Sequence, residues 1–217
     1  MVDISSWLDL YLAEVDNVFG DRIWFVGLQG SYARDEATDS SDIDVVLILD
    51  NLTVSDILDY RMVLDRLPNR ELICGFFSGR NEILNWHPAD LFQFYHDAKP
   101  IRGDLNDLVP LLDDSVVSQA IKIGAGNIYH GCLHNMLHNR NEEILRGLYK
   151  SAAFVVQGIA YQQKGQYFTK MSDLLDVVSS VDRKVIEISR LLKNGGKIEF
   201  DLMSETLFLW SQALIAE

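Results

Sequence analysis

Two short apolar runs near the start of the chain limit its fold more than any other feature. They are Ile23-Trp24-Phe25-Val26-Gly27-Leu28 and the stretch from Asp42 to Leu49. Continuous runs this rich in β-formers read as buried strands. In the second, Ile43, Val45, Leu47 and Leu49 face one side, and Asp44, Val46 and Ile48 the other. Glu71 to Phe77 is expected to be a third strand, closed by Ser78-Gly79. A helix capped by Ser5-Ser6 precedes the first strand, with Trp7, Leu8, Leu10, Tyr11, Leu12, Val15, Val18 and Phe19 as its apolar positions. Asp56 to Leu67 is a second helix, ended by Pro68-Asn69. Helices alternating with strands give an α/β (α+β) layer with a mixed sheet. The stretch Arg80 to Pro110 reads as short helices and loops. Beyond Pro110 no β-rich run occurs. Apolar stripes near 114–138, 141–164, 170–178, 181–193 and 201–215 predict an all-α bundle of four or five helices. The expected domains are therefore 1–112 and 113–217.

Composition narrows the partners. Nineteen Lys+Arg against 32 Asp+Glu leave a net charge of −13, and no basic cluster stands ready to neutralise nucleic-acid phosphates. No nucleic-acid partner is expected, and the acidic balance suits a neutral or cationic small molecule better. No run approaches the ~20 apolar residues that span a bilayer, and Met1-Val2-Asp3-Ile4 lacks a signal-peptide core. A cytoplasmic protein without membrane contact is expected, with Cys74 and Cys132 as free thiols. A homodimer is left open.

The chemistry concentrates in Gly27-Leu28-Gln29-Gly30-Ser31-Tyr32-Ala33-Arg34 … Ser41-Asp42-Ile43-Asp44. A strand ending at Gly30-Ser31 and turning into a helical turn points backbone N–H groups outward, which makes an anion site. Eleven residues after Ser31, Asp42 and Asp44 stand at i, i+2, with Cα atoms ~6.5–7 Å apart on one strand face. Two carboxylates so placed are costly unless a cation sits between them. The spacing suits Mg²⁺ that also binds nucleotide phosphates. A Gly-Ser turn and a polar strand entry are each commonplace. Their combination points to function.

This segment resembles the signature of the DNA polymerase beta-like nucleotidyltransferase superfamily, a Gly-Ser turn followed by an Asp-x-Asp strand. The version here is similar to minimal nucleotidyltransferases and to the antibiotic-modifying branch. The α/β domain followed by a helical bundle also resembles kanamycin and lincosamide nucleotidyltransferases. The resemblance implies that Gly30, Ser31, Arg34 and Ser41 bind a nucleoside triphosphate, and that Asp42 and Asp44 are the catalytic, magnesium-holding pair. A hydroxyl of a small-molecule acceptor would attack the α-phosphorus and release pyrophosphate. The superfamily usually adds a third carboxylate on the next strand. Glu71 is the only candidate there, as a further metal ligand or as a plain surface glutamate.

On the helical side, Asn127, His130, His134 and His138 fall on one face. The outer two histidines are ~12 Å apart along the axis, so one tetrahedral metal site does not take all three easily. His130 and His134 are expected to contact the acceptor from a polar stripe lining a cleft, with surface histidines as the alternative. Glu142 or Glu143 could serve as general base. Gly124-Ala125-Gly126 marks a kink or a close helix contact. Trp86, Phe92, Phe94 and Tyr95 read as core aromatics or as a stacking surface. Two other readings of the chain stay open: a protein-adenylylating antitoxin-type nucleotidyltransferase, and an inactive nucleotide-binding homologue.

Overall fold

The computed structural model describes residues 1–39 and 41–216. They fall into two compact units, Met1–Leu111 and Leu112–Glu217.

The first unit opens with α1 (Ile4–Phe19), which buries Trp7, Tyr11, Val15 and Phe19 at four-residue spacing. Its cap is Asp3, whose carboxylate accepts from the Ser6 amide and hydroxyl, rather than Ser5-Ser6. Four strands follow: β1 (Ile23–Leu28), β2 (Ile43–Leu49), β3 (Ile73–Gly79) and β4 (Lys99–Arg102). The helices among them are α2 (Gly30–Ala33), α3 (Val54–Arg66), α4 (Arg80–Leu84) and α5 (Pro88–Asp97). The sheet order is β3-β2-β1-β4. β1 runs antiparallel to β2 and β4, while β2 and β3 are parallel. The sheet is mixed, as the sequence predicts.

Two expectations change. β3 begins at Ile73, because Arg70–Leu72 forms a 3-10 turn that carries Glu71. A fourth strand, β4, lies in the stretch read as helices and loops. Pro100 is tolerated there because β4 is a sheet edge.

Alternation along the strands divides the two faces. Val26, Leu28, Ile43, Val45, Leu47 and Leu49 pack with Trp7, Tyr11 and Val15 of α1 and Tyr60 and Val63 of α3 in one apolar cluster. Fully burying side chains of this size contributes about 1.5–3 kcal/mol each. The other face carries Phe25, Val46 and Ile48, also buried, and Asp44 shares its facing.

The loop from β2 to α3 is fixed by charge. Thr53 and Asp56 form a capping box at the start of α3. Arg22, which leads into β1, donates to both Asp56 oxygens at 2.7 and 2.8 Å and to the Asn51 carbonyl.

The second unit is helical. It comprises α6 (Asp114–His134), a π turn over Asn135–Asn139, α7 (Glu142–Lys164), α8 (Met171–Leu174), α9 (Ser180–Lys193) and α10 (Phe200–Ala216). α6 packs against α7 and α10, and α7 against α9. α6 runs unbroken through Gly124-Ala125-Gly126. A Cβ on Gly124 would come 2.5 Å from Val155 Cγ2, so the small residue serves close helix contact and not a kink. Across this core Tyr149 donates to the Met203 carbonyl, and Trp210 Nε1 to Asp182.

Arg22 holds the Asp56 carboxyl far below the usual carboxylate range, with further help from Thr53. A folded-state value below the unfolded ~3.9 means the contribution is complete above about pH 4 and is lost as pH falls through the folded value. Asp56→Ala should cost about 2–4 kcal/mol at neutral pH, from the lost cap and charged hydrogen bonds. It should also flatten the acid limb of a stability–pH curve measured by denaturant titration. An unchanged acid limb would contradict this assignment.

Candidate active site

β1 ends at Leu28, and its last ladder contact is the Gln29 amide donating to the Asp44 carbonyl at 2.8 Å. Gly30 then turns the chain with φ at 67°, a conformation that favours glycine. The first residues of α2 follow, and the Glu36 amide closes the turn on the Ser31 carbonyl at 2.8 Å. A Cβ on Gly30 would overlap Asp44 Oδ2 and lie 2.8 Å from its Cγ. The Asp44 carboxylate is thus packed directly onto the turn that carries Ser31.

Asp42 immediately precedes β2 and is exposed. The two aspartates keep their i, i+2 relation at the mouth of the strand, with Asp44 half-buried and Asp42 in solvent. Ser41 is engaged locally: its hydroxyl accepts from the Thr38 amide at 2.8 Å and lies 3.2 Å from the Thr38 hydroxyl. It shapes the loop into β2.

Arg34 lies one turn after Ser31, with its side chain only 12% exposed. Its Nε is buried and makes no hydrogen bond, and the nearest charge contact is Glu36 at 3.6 Å. A buried guanidinium N–H without a hydrogen-bond partner is expensive, and an anion arriving at the turn would relieve it.

The neighbouring strand departs from the expected third carboxylate. In the parallel register Asp44 stands opposite Cys74, and Ile43 opposite Ile73. Partners in a ladder share a face, so the group beside Asp44 is an exposed thiol. Glu71 is exposed in the 3-10 turn. It precedes β3 and has no partner in the β2–β3 ladder.

Two further residues gather at this end of the sheet. Lys99 opens β4 opposite Leu28 and is exposed, and Gln29 Nε2 donates to the Phe94 carbonyl of α5. Neither is prominent in the sequence, because each depends on which strands pair. Of the aromatics, Phe92 is buried, whereas Trp86 is 44% exposed and borders Phe76, which also contacts Phe94.

In the helical unit, His130, His134 and His138 are exposed on one stripe. Glu142 and Glu143 are exposed in the first turn of α7, which Asn141 caps.

The family model described as "Nucleotidyltransferase domain" matches residues 21–123, a span that contains all four strands and the whole Gly30–Asp44 arrangement. Over that span, just under half of the chain, the sequence is similar to nucleotidyltransferase domains. Among solved structures, the chain matches that of spectinomycin adenyltransferase AAD(9) from Enterococcus faecialis, with ATP and spectinomycin, at a TM-score of 0.62. That match covers 98% of this chain and 99% of the other at 14% identity, which is a likeness of fold. No curated protein sequence matches the chain. Within residues 21–123, the glycine turn and the aspartate strand meet as the sequence signature implies.

Gly30→Ala should therefore act on the site more than on the core. The strained φ costs about 1 kcal/mol, while the added methyl displaces the Asp44 carboxylate. Thermal unfolding should show a modest loss of stability, and titration with Mg²⁺ and ATP should show loss of binding. Glu71→Gln, measured in parallel, should keep most of that binding. Equal losses in the two variants would contradict the register.

Proposed function

We propose that this chain is a magnesium-dependent enzyme that transfers a nucleoside monophosphate from a nucleoside triphosphate to a hydroxyl of a small-molecule acceptor, releasing pyrophosphate. The observation that carries this reading is the packing of the Asp44 carboxylate against the Gly30 backbone. That contact puts an acidic, cation-binding group and a phosphate-type turn in one place.

The donor set fits Mg²⁺. Asp42 and Asp44 offer hard carboxylate oxygens from one strand mouth, the donor type that would hold Mg²⁺. The Cys74 thiol beside them is too soft to add to that set. Bound there, the ion would neutralise charge on the triphosphate and on the departing pyrophosphate. The protein's own residues position the nucleotide. The Gly30-Ser31 turn offers backbone N–H groups and a hydroxyl, Arg34 offers a buried Nε–H, and Lys99 adds an exposed cation at the same sheet end. Each fixes the triphosphate so that the α-phosphorus faces the acceptor in line.

The acceptor is taken to be neutral or cationic, in keeping with the net charge of −13. An aminoglycoside-like polyol is the class to test first, since the structural relative was solved with ATP and spectinomycin. The thiol where a third carboxylate is expected favours a second reading, a homologue that binds Mg²⁺–nucleotide without turnover.

Pyrophosphate release from ATP or GTP across a panel of hydroxyl-bearing antibiotics distinguishes the two. The enzyme reading predicts release that needs both Mg²⁺ and an acceptor, and that falls by about 10²–10³-fold or more in Asp42→Asn and Asp44→Asn. Binding of Mg²⁺–nucleotide without release toward any acceptor would establish the second reading. Release that survives both substitutions would overturn the site.

A further inference from the structure

The helical unit ends its longest polar stripe in a defined backbone turn. After α6 the chain makes a π turn over Asn135–Asn139 and leaves it through Arg140 in the left-handed region, φ 46°. A π turn closed by a left-handed residue is a common way to end a helix. This one is locked from inside. Asn135 is 1% exposed, its amide donates to the Asn141 carbonyl at 2.9 Å, and its oxygen accepts from the Asn141 amide at 2.9 Å. The Arg140 amide closes the turn on the Asn135 carbonyl at 2.7 Å.

The turn carries two exposed imidazoles close together. His134 and His138 have ring centroids 4.8 Å apart with planes at 57°. A cation held about 2.0–2.1 Å from one nitrogen of each ring sits roughly 3.2 Å from each centroid, which sets the rings roughly 4.5–5.2 Å apart. The observed spacing falls inside that window. His130 is farther off, 6.4 Å from His134, so the fit belongs to one pair.

The surroundings suit a cation too. The pair stands at the C-terminal end of α6, where orphan carbonyls favour positive charge. Arg140, the nearby cation in sequence, is drawn onto Asp201 at 2.8 Å and over the Phe200 ring. Asn139 Nδ2 lies 3.3 Å from His134 Nδ1. That contact orders the His134 ring.

We infer that His134 and His138 form a bidentate site for a borderline transition cation, Zn²⁺ or Ni²⁺, with the two imidazoles at chelating distance at the π turn. Water or a ligand of the cation completes the coordination, because among the described residues no group of three or more His, Cys, Asp or Glu is placed to hold a metal. Imidazole nitrogen selects such ions over Mg²⁺, which separates this site chemically from the aspartate pair. The inference does not depend on the nucleotide chemistry.

Calorimetric titration of the full chain with Ni²⁺ and with Zn²⁺ tests it, in a Cys74→Ser background that removes the exposed thiol. One equivalent should bind and should resist displacement by excess Mg²⁺. His134→Asn and His138→Asn should each weaken binding at least tenfold. Asn139→Ala should weaken it severalfold as a positioning residue, and His130→Asn and Asp44→Asn should leave it within twofold. Circular dichroism on each variant checks that the helices persist, and these exposed positions give two independent substitutions should one perturb folding. No saturable binding at millimolar Ni²⁺, binding that survives both histidine substitutions, or binding lost in Asp44→Asn would each overturn the inference.

Discussion

The contact between a carboxylate and a glycine backbone organises the first unit. Asp44 stands at the start of a central strand whose later residues, Val45 to Leu49, are buried. Its carboxylate therefore cannot move away without dragging the sheet. Gly30 accepts it because nothing but hydrogen occupies the space where a side chain would go. The Gln29 amide bonded to the Asp44 carbonyl ties the same two segments through the backbone. The glycine turn and the Asp44 carboxylate are thus held together by the packing of the sheet itself. Preorganisation of this kind is what lets a site act through position and electrostatics.

The rest of the first unit serves that contact. α1 and α3 cover one face and leave the strand mouths open. Arg22, Asn51 and Asp56 pin the opposite end of β2, so the strand cannot slip in register. A slip by one residue would carry Asp44 to the apolar face and a valine to the site. Arg34 remains as a local debt, a buried Nε without a hydrogen bond. Such unsatisfied groups concentrate where ligands bind.

Much of this was legible in the sequence because the signals were local. The apolar runs around Phe25 and Val46 specify buried strands, the Gly-Ser turn specifies a break, and alternation alone puts Asp44 on the face opposite Val45. The loss of β-type residues after Pro110 likewise specifies a helical second half, and no strand follows β4 among the described residues. What escaped was non-local. β4 is four residues long and contains Pro100, so only its pairing with β1 makes it a strand. Glu71 looked like the head of β3, yet the turn at Arg70–Leu72 takes it out, and the parallel register with β2 brings Cys74 beside Asp44 instead. Lys99 joins the site for the same reason. The π turn at Asn135–Asn139 reads as ordinary helix in sequence, because its cause is a buried amide bonded six residues downstream.

Thermal unfolding with and without Mg²⁺ and ATP tests the central claim most directly, because a ligand that binds only the folded state must raise the melting temperature. At a hundredfold excess over Kd the gain is about 2.7 kcal/mol, roughly 5–10 °C for a chain of this size. The account predicts that gain for the wild type with both components together and much less with either alone. In Asp44→Asn the magnesium-dependent gain should disappear. An Asp44→Asn protein that still responds to Mg²⁺–ATP like the wild type would mean that the aspartate pair is structural and that the nucleotide site lies elsewhere.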